Sequence, residues 1–163
     1  MRRGRNREGS RVITVLMGAP GAGKSTWLKA NLTPGAHIAS TQAIRVDREI
    51  DRGAFMNNMR LKAIKAAENG KDIFCDGTHT MTQHRLIWLN LANRLNVKSR
   101  LIAFNTPLIS LLHAQSIREF PAPKKIVISH YHRFNQALKT INDESWNEII
   151  QINRIDIPSD LRL

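Results

Sequence analysis

The stretch Gly18-Ala19-Pro20-Gly21-Ala22-Gly23-Lys24-Ser25-Thr26 constrains this chain more than any other feature. It satisfies G-x-x-x-x-G-K-[ST], the phosphate-loop pattern, which has meaning only between an apolar strand and a helix. Both neighbours are present. Residues 12–17, Val-Ile-Thr-Val-Leu-Met, are a β-branched apolar run of the buried parallel-strand type. Trp27 to Leu32 continue as a helix that stops near Pro34-Gly35. Glycines at 18, 21 and 23 allow successive N–H groups to turn inward around a phosphate. A helix beginning near Lys24 adds the positive end of its dipole. In this pattern Lys24 reaches the β- and γ-phosphates and Ser25 holds Mg²⁺, while Pro20, Ala22 and Thr26 complete the nucleotide-binding set. The expected ligands are therefore ATP and Mg²⁺.

Composition bounds the rest. A chain of 163 residues that is 42% hydrophobic and 23% charged reads as one soluble globular domain able to bury its own core. We place that domain at residues 11–157, between a disordered basic arm at 1–10 and a tail at 158–163. No apolar run approaches bilayer length, and the arginine-rich start lacks the apolar centre of a secretion signal. Cys75 is the only cysteine, so no internal disulfide can form and a cytoplasmic location is expected. Its place in Ile73-Phe74-Cys75 predicts a buried thiol. The net charge is +12; the first eleven residues hold five arginines against Glu8, leaving +8 for the remainder. That excess favours a polyanionic partner, most simply nucleic acid.

Further along, residues 37–40 predict a short second strand and residues 41–53 a loop or short helix lining a site. Phe55, Met56, Met59, Ala63, Ile64 and Ala67 follow helical spacing up to a stop at Gly70, with both methionines in the core. Residues 72–76 form a strand ending in Asp76. Thr80 and Gln83 predict a capping box opening a helix to about Leu95. Residues 99–104 are a strand, and Pro107 starts a helix reaching about Arg118. Phe120-Pro121-Ala122-Pro123 breaks it, a helix follows over about 124–139, and a last strand lies within 146–153. Alternating strands and helices predict a three-layer α/β fold: a parallel sheet of about five strands, helices on both faces, ligands beyond the strand carboxyl ends.

Asp76 stands where an acid orienting Mg²⁺ is expected, after an apolar strand. Asp76-Gly77-Thr78 also ends like a phosphatase D-x-D-G-T motif, but position 74 is Phe, so the nucleophile is missing. Arg118, with Lys124, Lys125 and Arg133 beyond it, predicts a lid near 118–124 whose arginine meets the nucleotide phosphates. His113, His130 and His132 lack metal-ligand spacing with a cysteine.

These features together resemble the kinase domain of bacteriophage polynucleotide 5′-hydroxyl kinases, within the small P-loop kinases that include zeta toxins. The similar residues are Gly18 to Trp27, Asp76-Gly77-Thr78, Arg85, Asn105-Thr106-Pro107, Gln115-Ser116-Ile117-Arg118 and Tyr131. The resemblance implies transfer of the ATP γ-phosphoryl to a 5′-hydroxyl of DNA or RNA, in host cytoplasm if the chain is phage-encoded. It implies Arg118 as lid arginine and an acceptor side built from Arg45, Asp76, Thr78 and Arg85. It also implies an aspartate base three residues before Arg45, where this chain has Gln42. Glutamine can hydrogen-bond a hydroxyl but cannot take its proton at neutral pH. Asp47, five residues on, is the substitute. Three readings follow: a polynucleotide kinase using Asp47 or Asp76 or working slowly, a kinase for a nucleoside, nucleotide or sugar nucleotide, and an ATP-dependent nucleic-acid binder without transfer.

Overall fold

The computed structural model describes residues 11–47 and 49–154, without the side chains of Arg45 and Val46. The arm at 1–10, the tail at 158–163 and Arg48 lie outside that set. Five strands, β1 (Val12–Met17), β2 (His37–Ser40), β3 (Ile73–Asp76), β4 (Lys98–Asn105) and β5 (Glu148–Asn153), form one parallel sheet in the order β2-β3-β1-β4-β5. β1 is central, paired with β3 through Ile13↔Ile73 and with β4 through Ile13↔Ser99. A strand at this position has no solvent-facing side, which explains its largely apolar run, broken only by the buried Thr14.

The two-residue side-chain period of the strands splits the core in two. Ile13, Val15 and Met17 face one side with Ile73, Cys75 and Leu101, against α3 (Arg52–Glu68) and α4 (Thr82–Leu95). Trp88 of α4 is 1% exposed there, a site where truncation to Ala costs about 3–5 kcal/mol. Leu16, Phe74, Ile102 and Phe104 face the other side, against Leu28 of α1 (Lys24–Asn31) and Leu111 of α5 (Leu108–Ser116). Helix α6 (Lys124–Leu138) joins both clusters, through Phe134 and Val127. The expected parallel α/β sandwich is what the chain forms. Met59 is buried and Met56 packs beside it, as their helical spacing predicts.

Local chemistry accounts for both ends of α3. Gly70, at φ 77°, stops α3 in the left-handed conformation that glycine adopts without strain. The Asp51 carboxylate accepts from Ala54 N at 3.0 Å and caps the start of α3. The capping box at Thr80 does not form. Helix α4 begins at Thr82 after Met81, with no side-chain cap, and the Thr80 hydroxyl instead pairs with His130 Nδ1 at 2.8 Å. A tertiary partner on α6 outcompetes the local one. Pro107 likewise stands just before α5 rather than inside it, and α5 ends at Ser116, two residues short of Arg118.

Candidate nucleotide and acceptor site

The phosphate loop leaves β1 at Gly18 and closes at Gly23, the residue before α1. Gly21 and Gly23 take φ values of 91° and 92°, a region that an L side chain resists. Lys24 lies at the first position of α1 and is 7% exposed. Its Nζ donates to the carbonyls of Gly18 at 2.8 Å and Ala19 at 2.9 Å, so the ammonium is held across the loop. Ala19, Pro20 and Ala22 are buried beneath, while Ser25 and Thr26 are exposed on the first helical turn. Thr106 Oγ1 braces the loop from behind, donating to the Ala22 carbonyl at 3.3 Å.

Backbone bonds join this loop to two further segments. Gly18 N donates to the Thr78 carbonyl at 2.9 Å, which ties the loop to the turn after β3. Thr41 N donates to the Asp76 carbonyl at 3.1 Å, and Ser40 pairs in register with Asp76 across β2 and β3. The carboxyl ends of β1, β3 and β2 thus form one rim that carries Lys24, Asp76, Thr78 and the start of α2 (Gln42–Val46). Crevices of this kind are where open parallel sheets bind ligands.

Asp76 is half-buried, and its Oδ2 accepts from Ser40 Oγ at 3.4 Å. The hydroxyl of Ser25 and the carboxylate of Asp76 are hard oxygen donors of the type Mg²⁺ takes, alongside waters and phosphate oxygens. Among the described residues no group of three His, Cys, Asp or Glu side chains could cage a metal. Beside Asp76, burial first and the carboxylate second push the Cys75 thiol well up, so it stays protonated.

The acceptor-side residues separate. Gln42 is exposed at the start of α2, its backbone N–H donating to Ser40 Oγ at 3.2 Å. Asp47 is exposed at the other end of α2, where its Oδ1 accepts from Glu49 N at 2.9 Å. Arg45 lies between them, its side chain outside the described set. Arg85 is where the acceptor expectation fails in this structure. The residue is 0% exposed; Nη2 meets Glu144 Oε1 at 2.6 Å and Nη1 donates to the His79 carbonyl at 2.9 Å. A guanidinium saturated this way holds α4 to the segment after α6 and presents no donor to an acceptor phosphate.

His79 is a further buried ion-forming group of this region. It sits at φ 46°, and its Nδ1 donates to the Leu16 carbonyl at 2.7 Å, since a carbonyl can only accept. Burial lowers its pKa to about 4, with the Lys24 charge adding to the effect, so the ring is neutral. Arg118 is exposed just past α5, with its N–H on the Gln115 carbonyl at 3.2 Å. Ile117 and Phe120 beside it are each 76% exposed, so this turn stands clear of the core.

Two residues of the rim received no role from the sequence, although Gln115 belongs to the stretch that carries the resemblance. Arg154 directly follows β5, and its guanidinium occupies the space that a Cβ on Gly23 would need. Gln115 places its side-chain amide beside Gly21. The first carries a readable signal, because the residue after a parallel strand lies on the ligand rim. The second shows in the sequence only as a polar side chain one turn beyond Leu111.

A family model described as an AAA domain, AAA_33, matches residues 13–140. No curated protein matches the chain. Among solved structures, a chain of a Pnkp1/Rnl/Hen1 complex is similar at TM-score 0.56 and 16% identity, covering 68% of this chain and 40% of that one. A chain from the PezAT toxin-antitoxin system of Streptococcus pneumoniae gives 0.54 and 16%, covering 93% and 72%. The tunicamycin resistance protein of Deinococcus radiodurans gives 0.57 and 13%, covering 91% and 88%. The chain therefore spans well under half of the Pnkp1/Rnl/Hen1 chain, and identities this low establish a common fold.

Proposed function

The chain belongs to the AAA-domain family AAA_33 and has its P-loop kinase fold; from that premise we propose that it transfers the γ-phosphoryl group of ATP to a 5′-hydroxyl end of nucleic acid. One observation carries the reading. The Gly18–Thr78 and Thr41–Asp76 backbone bonds join the phosphate loop, the turn after β3 and the start of α2 on one rim, which supports a reading with donor and acceptor held side by side for in-line transfer. The loop amides and Lys24 would hold the donor phosphates, with Lys24 exchanging the Gly18 and Ala19 carbonyls for phosphate oxygens. Ser25 and Asp76 would hold Mg²⁺, which neutralises charge on the transferring group. Arg118 would swing in from its exposed turn to meet charge developing in the transition state. Thr78 would help shape the acceptor pocket, and Arg45 would bind the acceptor phosphate. The +8 charge beyond residue 11 supports a long anionic acceptor, and a likeness to a chain of a Pnkp1/Rnl/Hen1 complex is consistent with it.

Gln42 favours a second reading, an ATP-binding nucleic-acid protein with transfer impaired. A kinase for a small acceptor is the third, since the same fold occurs in a tunicamycin resistance protein. One assay separates them: γ-labelled ATP and Mg²⁺ incubated with 5′-hydroxyl oligonucleotides and, in parallel, with free nucleosides. Label on the oligonucleotide alone is the expected result, abolished by Lys24→Ala. Label on nucleosides alone would replace the acceptor class. ATP binding with no labelled product would leave the binder.

A further inference from the structure

Helix α5 packs its side against the phosphate loop at Gly21. A Cβ built on Gly21 would stand 3.1 Å from Ala114 Cβ, 3.1 Å from the Leu111 carbonyl and 2.9 Å from Gln115 Nε2. The Gln115 side chain spans two structures at once. Its Oε1 accepts from Ala122 N at 2.9 Å, on the returning arm of the turn that carries Arg118. The residue is 6% exposed, and its Nε2 is buried without a hydrogen-bond partner. The amide cannot be reversed to relieve this, because the N–H of Ala122 needs an acceptor and only Oε1 supplies one. A buried amide donor without a partner is uncommon in folded proteins and calls for an explanation.

We infer that Gln115 is a positioning residue that reads the occupancy of the phosphate loop and transmits it to the Ile117–Pro123 turn. Its unpaired donor is held at the loop for an anionic oxygen, the terminal phosphate of a nucleoside triphosphate. Its carbonyl ties the same side chain to Ala122, so that taking up the phosphate pulls the turn bearing Arg118 toward the site. This rests on the reading of the loop as an ATP site and goes beyond it. It assigns discrimination between tri- and diphosphate, and with it lid closure, to one side chain. A diphosphate leaves the donor unpaired and the turn open.

The test uses binding and proteolysis. Trypsin cuts the exposed turn after Arg118, and in the wild type ATP·Mg²⁺ is expected to slow that cut about tenfold more than ADP·Mg²⁺ does, equal protection overturning the proposal. In titration calorimetry, Gln115→Glu keeps the acceptor for Ala122 but replaces the donor with a negative oxygen. Its ATP affinity is expected to fall about tenfold or more with ADP affinity unchanged, the size of a lost hydrogen bond to a charged group. Gln115→Met, which removes both bonds at similar volume, should show the same loss of discrimination and constitutive cutting of the turn. An unchanged ATP-to-ADP ratio in both variants, or equal losses for both nucleotides, would show a packing role and overturn it. Absence of binding of either nucleotide to the wild type would instead sink the ATP assignment beneath it.

Discussion

The guanidinium of Arg154 fills the volume above Gly23 that a side chain at that position would occupy. The last residue of the phosphate loop is thus enclosed from the far side of the sheet by the residue after β5, whose backbone N–H is anchored to the Asn105 carbonyl at 2.8 Å. The φ of 92° at Gly23 strains any side chain there, and a Cβ would in addition have to displace the flexible end of Arg154.

Gly23→Ala is therefore expected to lose nucleotide binding and to destabilise the fold by about 1–3 kcal/mol. The double variant Gly23→Ala/Arg154→Ala should recover only part of this, because it removes the clash and leaves the dihedral strain. Chemical denaturation and nucleotide titration check both; complete recovery would assign the whole effect to Arg154.

Arg85 and Glu144 form a buried pair with side chains 0% and 9% exposed, and Trp146 Nε1 donates to the same carboxylate at 2.8 Å. Removing one partner strands the other charge. Arg85→Ala should lower unfolding free energy by about 3–5 kcal/mol in urea titrations. A variant of wild-type stability that had lost oligonucleotide affinity would return Arg85 to the acceptor side.

His79 sets a pH dependence of known sign. Its folded pKa of about 4 lies below the unfolded value near 6.5, so the unfolded chain binds the extra proton between them. The stability linked to its neutral ring is complete above about pH 6.5 and is lost as pH falls toward about 4, on the order of 3 kcal/mol. His79→Gln should flatten that part of the pH–stability profile, measured by thermal melts across the window.

The acceptor base is tested by exchange. Gln42→Asp should raise oligonucleotide labelling by about tenfold or more, within the roughly 10²–10⁴-fold range of general-base catalysis. No change in Gln42→Asp, together with an inactive Asp47→Asn, would place the base at Asp47 despite the bond its carboxylate makes to Glu49 N.

Much of this molecule was legible in the chain. The apolar run at 12–17, the loop glycines and the strand ending at Asp76 announce a buried parallel strand, a phosphate cradle and a rim acid. Each depends on local pattern: side-chain period, backbone freedom or distance along the chain. The failures share the opposite character. Thr80 and Gln83 spell a cap, yet Thr80 bonds His130, fifty residues away. Arg85 spells an acceptor arginine, yet Glu144 claims it across fifty-nine residues.

By itself the sequence determined the fold class and the phosphate loop, because periodicity and glycine placement are properties of the chain alone. Only the tertiary structure decided which polar side chains face the site and which are consumed holding it. It buried Arg85 and His79, set Arg154 over Gly23, and left the Gln115 donor unpaired against Gly21. A polar group's role depends on which partner reaches it first in the packed core. That competition is settled by neighbours distant in sequence, which no local pattern records.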